Sequence, residues 1–547
     1  MPFLDWVNKA QAVSVAGAVP YHLLNFESAH GDPASENLLI QADNLLALKA
    51  LLPFYRGRVK CVYADPPFNT EQAFPDYDDK LEHSQWLSML YPTLVLQRDL
   101  LSFDGTLFIH IDDNELAYLI TIADEVMGRQ NRVAIVSFKQ GAATGHKSIN
   151  PGMVSTTNFI VVYAREKSQW MPNRLFTGRE RDKRYSLFLV NPHDSHRHWK
   201  VQTLAAAFAA ASGQKATALK KALGPTGYED ALNAFVIQHA SRVLRTARPD
   251  YHSVSEAAQR MIDASVEDPQ QIFLLKREGN PDMFFKAGER WIFYREKLKA
   301  VDGVLVAGEP LTTLWDDLLS NNLHNEGGVE FPKSKKPEGL IKRVIELCTL
   351  PGDWVLDAFL GSGTTCAVAH KLGRRYVGIE RGEHATAKCL PRLQRVVDGD
   401  TGGISGAVGW AGGGGFRFYT LGEAVFDADG GIHPAVRFGP LAGYLWHFET
   451  GQPATGLFNS PLLGVHGDTA LFLLYNGILG DRRPAGGIVL TSAVLAHLDA
   501  LLATATPVGQ PVPPRKIIYG ETTRLGEQRL DEAGVTFRQM PYDIKAR

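Results

Sequence analysis

The sequence predicts an α/β protein: a parallel sheet covered by helices on both faces, with a domain of different composition inserted into it. Apolar, strand-like segments alternate with amphipathic, helix-like segments from residue 37 to about residue 170. This alternation is typical of parallel strands joined by crossover helices. The same pattern resumes at residue 337, whereas the segment in between is basic and aromatic.

The first strand and helix are predicted immediately after residue 36. "NLLIQAD" (37–43) is a short apolar strand, and "NLLALKALLPFY" (44–55) is an amphipathic helix that begins at Asp43 or Asn44. Both are suitable residues to cap a helix N-terminus. "VKCVYAD" (59–65) is the second predicted strand.

Two more helix and strand pairs complete the first alternating region. "HSQWLSMLYPTLVLQRDLL" (83–101) has a helical apolar pattern, and "GTLFIHID" (105–112) is a strand preceded by the turn signal Asp104-Gly105. "NELAYLITIADEVMG" (114–128) is a helix with glycine at its end, and "NFIVVYA" (158–164) is another strand. The order of elements favours strand–helix repeats.

The middle and the end of the chain differ from this pattern. The middle contains basic clusters, an alanine-rich helical stretch (205–222) and the aromatic run "MFFKAGERWIFYREKL". The segment 398–415 is glycine-rich, which is typical of a flexible connection, and strand and helix signals follow it. We predict an N-terminal extension, a first α/β half, an inserted domain, a second α/β half, and a linker with a C-terminal α/β domain: 1–36, 37–170, 171–325, 326–400 and 401–547.

Composition excludes several classes of protein. Hydrophobic residues make up 45% and charged residues 21% of the chain, with a net charge of −2, as in ordinary folded proteins. No apolar run reaches the ~18 residues of a membrane span, and the start lacks a basic region followed by an apolar one. We therefore predict a cytoplasmic protein without membrane association. The four scattered cysteines include no Cys-x-x-Cys pair, and "HDSHRHW" (193–199) lacks a second ligand pair, so no metal site is predicted.

The strand at 59–64 ends in the unusual sequence Asp65-Pro66-Pro67-Phe68. Two consecutive prolines restrict the backbone and remove two amide donors. The residue before each proline is disfavoured in the helical region. The segment is therefore stiff, and its carbonyl groups are available to accept hydrogen bonds.

A second motif, "VLDAFLGSGTT" (355–365), is a strand that runs into Gly361 and Gly363 and then into a helix. Glycines at such a turn let the backbone approach a ligand at the carboxyl edge of a sheet. The next strand, "RYVGIE", ends in Glu380, at the position where an acid binds ribose hydroxyls in nucleotide-binding folds. Cys366 replaces the third glycine of the dinucleotide motif, and the lysine of a phosphate loop is absent. A generic tight turn is the alternative interpretation.

Together the two motifs resemble the amino-methyltransferases of DNA that use S-adenosylmethionine. "DPPF" precedes "FLGSGTT" by some 290 residues, as in their β class, in which the target-recognition domain lies between the two motifs. The resemblance implies a Rossmann-like, circularly permuted methyltransferase sheet with 171–325 as the target-recognition domain. Other segments are similar to the modification subunits of type III restriction systems, among them "HSQWLSMLYPTLVLQRDLLSFDGTLFIHIDDNE", "LWDDL", "FPKSKKPEGLIKRVI", "GGGGFRFYTLGE" and "RQMPYDIKA".

The resemblance implies methylation of adenine N6 in a base rotated out of the duplex. Asp65 and the Pro66 carbonyl, held rigidly by Pro66 and Pro67, would accept the two hydrogens of the target amine, and Phe68 would stack on the base. The family usually has tyrosine at this last position, whereas Phe68 keeps the ring and lacks the hydroxyl. Aspartate at position 65, rather than serine, favours adenine N6 by family habit, and cytosine N4 is the alternative.

The same resemblance assigns a cofactor site to residues distant in the sequence. Asp43 would approach the adenine of S-adenosylmethionine, and Glu380 would bind its ribose. The segment "KSKKPEGL" (333–340) would close over the site. Residues expected around the methionine and sulfonium, and then in the closing segment, are Asp357, Phe359, Gly361, Gly363, Lys336 and Pro337.

Partners follow from the resemblance as well. We expect double-stranded DNA as the substrate, a homodimer, and a helicase-nuclease restriction subunit as a further partner. The predicted DNA contacts are Arg179, Arg181, Lys183 and Arg184, for which an exposed loop is the alternative. Two other functions remain open: a DNA-recognition subunit whose methylation is secondary to guiding the nuclease, and an RNA methyltransferase.

Overall fold

The computed structural model describes residues 4–69, 82–141, 152–318, 323–331, 335–426, 432–433, 436–454, 458–475, 488–507 and 509–540. The chain forms two compact units. The large unit comprises Met1–Asn173 and Thr313–Arg547, and the inserted unit comprises Arg174–Thr312.

The first part of the large unit alternates strands and helices, as predicted. Its helices are α1 (Lys9–Ala18), α2 (Asn44–Tyr55), α3 (His83–Leu100) and α4 (Leu116–Met127). Its strands are β1 (His22–Gly31), β2 (Leu38–Gln41), β3 (Val59–Ala64), β4 (Leu101–Ile111), β5 (Arg132–Lys139) and β6 (Thr157–Ala164). The predictions for β2, α2, β3, α3, α4 and β6 are confirmed. Strand β4 begins before the expected boundary at Asp104-Gly105, and β5 was not predicted.

The inserted unit has two antiparallel sheets and its own core. Its strands are β7 (Phe176–Gly178), β8 (Leu187–Leu189), β9 (Val201–Thr203), β10 (Val243–Ala247), β11 (Phe273–Leu275), β12 (Met283–Lys286), β13 (Glu289–Phe293), β14 (Leu298–Val301) and β15 (Val304–Pro310), and its helices are α5 (Leu204–Ala211), α6 (Ala216–Gln238) and α7 (Glu256–Glu267). The sheet orders are β11-β12-β13-β10-β8-β9 and β14-β15-β7. Phe188, Phe235 and Val243 are buried together in the core.

The large unit resumes with the strands and helices of the second motif. They are β16 (Leu314–Trp315), α8 (Glu338–Cys348), β17 (Trp354–Asp357), α9 (Thr364–Lys371), β18 (Arg375–Glu380), α10 (Leu390–Val397), α11 (Ser405–Val408) and β19 (Gly415–Ala424). The remainder is α12 (Phe438–Thr450), β20 (Leu462–His466), β21 (Thr469–Leu473), β22 (Val489–Leu490), α13 (Ser492–Ala505), β23 (Arg515–Gly520), β24 (Thr522–Thr523), α14 (Glu527–Glu532) and β25 (Val535–Gln539).

A ten-stranded sheet organises the large unit, in the order β1-β19-β2-β18-β17-β3-β4-β6-β5-β16. The six strands from β19 to β4 are parallel to one another. Strands β1 and β6 are antiparallel to their neighbours. The α/β class is therefore confirmed, although the sheet is mixed at its flanks. Circular permutation stays a prediction.

The segments at the two ends of the chain are part of the large unit. Strand β1, from the predicted extension, pairs with β19 from the predicted linker and C-terminal region. Strands β20, β21, β23 and β25 form a separate four-stranded sheet. The last residues of the "RQMPYDIKA" segment, 541–546, lie outside the described residues. The functional assignment of each predicted domain stays a prediction.

The described residues contain neither a membrane-spanning helix nor a cluster of metal-ligating side chains. No helix there combines the length and apolar character needed to cross a membrane. No group of three or more His, Cys, Asp and Glu side chains there is arranged to hold a metal ion.

Candidate active site

Neighbouring parallel strands bring four acidic residues to one edge of the sheet. Asp43 follows β2, Glu380 ends β18, Asp357 ends β17, and Asp65 follows β3. These strands are adjacent in the order β2-β18-β17-β3. Because parallel strands place their carboxyl ends at the same edge, residues more than 300 positions apart in the chain come together. This edge is where ligands bind in open α/β sheets.

The Asp65–Phe68 segment is fixed from both sides. The indole Nε1 of Trp86, in α3, donates a hydrogen bond of 2.7 Å to the Pro67 carbonyl oxygen. The Phe68 ring stacks on His110, in β4, with ring centroids 5.6 Å apart and an interplanar angle of 30°. Pro66 is buried. Among the residues that the structure describes, none donates a hydrogen bond to the Pro66 carbonyl oxygen.

The two carboxylate oxygens of Asp65 have different surroundings. Oδ2 accepts a hydrogen bond of 2.6 Å from the Lys336 ammonium. Oδ1 is buried and has no hydrogen-bond partner among the described residues. Burial raises the pKa of Asp65, and Lys336 opposes that shift. A buried acceptor without a donor costs free energy, and such atoms often mark a place where a ligand binds.

His110 was missed by the sequence analysis and lies beside the motif. Its Nδ1 shares a hydrogen bond of 2.8 Å with the Tyr63 hydroxyl, and its Nε2 lies 3.2 Å from Nδ2 of Asn158. Burial lowers its pKa well below the ordinary value, with a further contribution from Lys336. The ring is therefore neutral, and it packs against one face of the Phe68 ring. The sequence signal that could have identified His110 is its position near the carboxyl end of a predicted strand.

Glu115 holds the residue that follows the motif and was also missed. Asn69 has a φ of 58°, in the left-handed region that asparagine tolerates better than most residues. Its Nδ2 donates to Glu115 Oε1 at 2.9 Å, and His83 Nδ1 donates to the same oxygen at 3.0 Å. Glu115 thus connects the loop to the start of α3.

The glycine turn is held by the acid that precedes it. Asp357 Oδ1 accepts from the Phe359 backbone N–H at 2.9 Å, and Oδ2 accepts from the Thr365 hydroxyl at 2.6 Å. Gly361 and Gly363 have φ angles of 55° and 81°. The Asp357 carboxylate thereby connects the end of β17 to the start of α9, around two residues whose backbone favours glycine.

Glu380 closes the turn from the neighbouring strand. Its Oε2 accepts a hydrogen bond of 2.6 Å from the Gly361 N–H. Burial raises its pKa to about 8, although the Gly361 and Arg381 backbone donors oppose the shift. The glycine turn and the acid predicted to bind ribose are therefore in direct contact.

Asp43 lies next to Glu380 and already has a structural role. The Ala42 N–H donates to the Glu380 carbonyl oxygen at 3.1 Å. Asp43 Oδ1 accepts from the backbone N–H groups of Leu45 and Leu46, which caps α2. Its Oδ2 lies 4.0 Å from Arg381 and its side chain is 39% exposed, so this oxygen is not used in capping the helix.

Lys336 and Pro337 lie at the start of α8. Pro337 is the capping position of that helix, and Lys336 contacts Asp65 as described above. Lys333, at the start of the "KSKKPEGL" segment, lies outside the described residues. The structure therefore places Lys336 against the Asp65–Phe68 motif, whereas the sequence analysis assigned it to the cofactor.

The four predicted DNA contacts in the inserted unit differ in their environment. Arg181 is only 9% exposed in its side chain and donates to Glu229 and Asn233. Arg179 lies 3.5 Å from Glu309. Arg184 is 72% exposed and paired with Asp182, and Lys183 is exposed. All four residues lie in one short segment of the inserted unit, and the hydrogen bonds of Arg181 hold its side chain within the fold.

The buried acids of the site predict a specific pH dependence of stability. Burial raises the pKa of Asp357 from 3.8 to about 7 and that of Glu380 from 4.5 to about 8. The folded protein then binds these protons more tightly than the unfolded chain, so their contribution is complete below about pH 4 and is lost as pH rises toward about pH 8. We expect the free energy of unfolding, measured with urea, to fall less in Glu380→Gln than in wild type as pH rises from about 4 to about 8. An identical pH dependence in both proteins would contradict the assignment.

Comparisons with known proteins agree with the motifs. Residues 59–388 match the N6/N4 methyltransferase family, whose description is "DNA methylase". A relative named "Probable type III restriction-modification enzyme HindVI Mod subunit", from Haemophilus influenzae, is 34% identical over 416 residues, which are 72% of this chain and 54% of that protein. The EcoP15I Mod subunit of Escherichia coli is 33% identical over 31% of this chain and 32% of its own length. The predicted resemblance to type III modification subunits is confirmed.

Other matches extend the comparison. The StyLTI Mod subunit of Salmonella typhimurium is 26% identical over 66% of this chain and 54% of that protein. Among solved structures, the cytosine-N4-specific PvuII DNA methyltransferase aligns with 68% of this chain and 90% of its own, at 12% identity and a TM-score of 0.31. The chain spans about half the length of the curated relatives it matches over most of its own sequence.

Proposed function

Because the chain belongs to the N6/N4 DNA methylase family, whose members use S-adenosylmethionine, we propose that it methylates N6 of adenine in double-stranded DNA. The observation that carries the proposal is a pair of acceptors at the motif, Asp65 Oδ1 and the Pro66 carbonyl oxygen, neither of which has a hydrogen-bond donor among the described residues. An exocyclic amine has two hydrogens, and its lone pair is delocalised into the ring. Accepting both hydrogens lets the nitrogen become pyramidal and nucleophilic. Two rigid acceptors beside an aromatic ring provide that arrangement.

The base would be held by stacking. Phe68 lies on His110 with its position fixed by the neighbouring Pro67–Trp86 hydrogen bond. A target base must leave the duplex for chemistry on its amino group, and aromatic stacking stabilises the rotated base. Phenylalanine suffices for stacking, so the tyrosine hydroxyl usual in the family is not needed for that step.

The residues of the glycine turn suit S-adenosylmethionine. Gly361 and Gly363 present backbone without side chains, and Glu380 and Asp43 offer carboxylate oxygens to hydroxyl and amino donors at the same sheet edge. We assign Asp357, Phe359 and Pro337 to the same neighbourhood. The bound cofactor supplies an electrophilic methyl group, and the chain contributes positioning and a fixed electrostatic environment.

Adenine is proposed over cytosine because residue 65 is aspartate, where serine is usual in cytosine-N4 enzymes. The choice rests on family habit, and cytosine N4 is the alternative. We further propose a role as a modification subunit, since several relatives carry that name. A helicase-nuclease restriction subunit would be its partner, and the active form would be a homodimer. Guiding that nuclease to DNA would then be a second function of the same chain.

Single-molecule sequencing of genomic DNA from cells with and without this gene tests the proposal. N6-methyladenine at one short sequence motif, present only with the gene, is the expected result. Methylation at cytosine N4 would select the alternative base. If the two genomes carried identical modification while the protein was expressed, the proposed function would be wrong.

The inserted unit is proposed to recognise the target sequence. We expect Lys183→Ala combined with Arg184→Ala to weaken DNA binding without changing the affinity for S-adenosylmethionine. Loss of phosphate contacts should reduce the binding of target and scrambled duplexes alike, with a salt dependence shallower by about one unit of slope per contact. If one of these side chains reads a guanine edge, the loss should concentrate on the target sequence, at ~1–3 kcal/mol.

Gel-shift titrations at several salt concentrations measure both quantities. Arg529→Ala, which removes an exposed arginine from α14 of the large unit, controls for a general effect of net charge. Arg181→Ala should instead lower the free energy of unfolding, because it leaves Glu229 and Asn233 without their partner. Unchanged DNA affinity in the double variant would remove the segment from the DNA-binding surface.

A further inference from the structure

The Lys336 ammonium occupies one defined position in the candidate active site. Its Nζ lies 2.6 Å from Asp65 Oδ2 and 5.0 Å from the centroid of the Phe68 ring. The side chains of Lys336 and Asp65 are only 11% and 18% exposed. An ion pair with so little solvent access is held much more firmly than one at the surface.

A network of buried charges fixes the residues that follow Lys336. Glu338, fully buried in its side chain, accepts from Lys371 at 3.0 Å and from Arg392 at 2.8 Å. Arg392 also donates to the Thr364 hydroxyl at 2.7 Å, at the start of α9. The helix α8, which begins two residues after Lys336, is therefore tied to the glycine turn by contacts within the protein.

The two carboxylate oxygens of Asp65 therefore have different surroundings and can have different functions. Oδ2 is taken by Lys336, and Oδ1 is the buried atom that lacks a partner among the described residues. We propose that Lys336 is a positioning residue for the Asp65 carboxylate, which it holds through Oδ2 so that Oδ1 and the Pro66 carbonyl receive the two hydrogens of the target amine. This inference rests on the proposed amine methylation, and it reassigns Lys336 from the cofactor to the acceptor.

The ammonium is needed because the other groups around Asp65 do not favour its ionised form. Tyr63 on β3, His110 on β4 and Asp357 on β17 are the titratable neighbours, and the histidine is neutral. Without Lys336, burial alone would act on the Asp65 pKa and raise it further. A protonated carboxyl presents a hydrogen where the amine requires an acceptor, so removing Lys336 should move the acidic limb of the methyl-transfer profile to higher pH.

The pH dependence of the single-turnover rate, measured on the full chain with saturating S-adenosylmethionine and target duplex, tests the inference. We expect Lys336→Met to move the acidic limb of the profile upward by about one to three pH units, the shift that an adjacent opposite charge normally produces. Calorimetric affinity for S-adenosylmethionine should stay within about threefold of wild type. Lys342→Met removes a lysine that pairs with Glu346 within α8, the helix that follows Lys336, and it should keep the wild-type profile.

Chemical rescue distinguishes loss of the positive charge at position 336 from a disturbance of the fold by the substitution. The four cysteines of the sequence are all buried, so 2-bromoethylamine should alkylate Lys336→Cys selectively at the introduced thiol. The product carries an ammonium at nearly the lysine position, and we expect it to return the acidic limb to that of wild type. Alkylated wild-type protein, with unchanged activity, is the control for modification elsewhere.

Two results would overturn the inference. One is a Lys336→Met profile that coincides with that of active wild type. The other is a loss of cofactor affinity at least as large as the loss of rate, which would return Lys336 to the cofactor site. Absence of methyl transfer by wild type itself would instead contradict the proposed function, so the two failures are distinguishable.

Discussion

Asp65→Ala is expected to reduce methyl transfer by at least about 100-fold while leaving the protein folded and able to bind S-adenosylmethionine. The variant removes the acceptor that the target amine needs, and loss of one preorganised electrostatic contact in an active site commonly costs about 10²- to 10³-fold. The carboxylate contacts Lys336 and no other described residue by hydrogen bond, so the sheet does not depend on it. Burst-phase methylation of a target duplex measures the rate.

Controls for this prediction use the same position. Asp65→Asn retains one oxygen acceptor and the shape of the side chain, and it should lie between wild type and Asp65→Ala. Thermal unfolding and calorimetry with S-adenosylmethionine check that fold and cofactor site are intact. A rate for Asp65→Ala within tenfold of wild type would show that the carboxylate is not the acceptor.

Gly361→Val and Glu380→Ala are expected to weaken cofactor binding by about tenfold or more, equivalent to about 1.4 kcal/mol. Gly361 has a φ of 55°, which a β-branched residue rarely adopts, and its N–H donates to Glu380. The valine variant therefore distorts the turn. The alanine variant removes both the partner of the turn and the acid proposed to bind ribose.

Two controls separate strain from binding. Gly373→Val introduces a branched residue at another positive φ, 67°, where an added Cβ meets nothing within 4 Å, and should leave cofactor affinity near that of wild type. Glu380→Gln keeps an oxygen for the Gly361 N–H and should bind cofactor better than Glu380→Ala. If calorimetry gave wild-type affinity for both Gly361→Val and Glu380→Ala, the cofactor site would lie elsewhere.

Much of the fold could be predicted because its signals are local. The apolar periodicity of β2, α2, β3 and α3 lies within single segments, where packing and propensity agree. The antiparallel pairing of β6 with β4, and the joining of β1 to β19 across the whole chain, depend on tertiary contacts. No spacing in the sequence specifies such a pairing, so the mixed flanks of the sheet were not predicted.

The candidate site was predictable to the extent that its residues lie in motifs. Asp65 and Glu380 end predicted strands, Gly361 lies in the turn after a third, and adjacent parallel strands bring them together. Trp86, His110 and Glu115 come from elements with ordinary patterns, and their contacts with the motif become visible only in three dimensions. The pairing of Lys336 with Asp65 spans 271 positions, which is why the lysine was assigned by motif to the cofactor.

The most direct test of the account is the identity of the methylated atom. Purified protein is incubated with S-adenosylmethionine carrying an isotope-labelled methyl group and with a library of duplexes, and the DNA is digested to nucleosides for mass spectrometry. The account predicts label in N6-methyladenine with wild type and its absence with Asp65→Ala. Label in 5-methylcytosine, or equal labelling of adenine by both proteins, would contradict it.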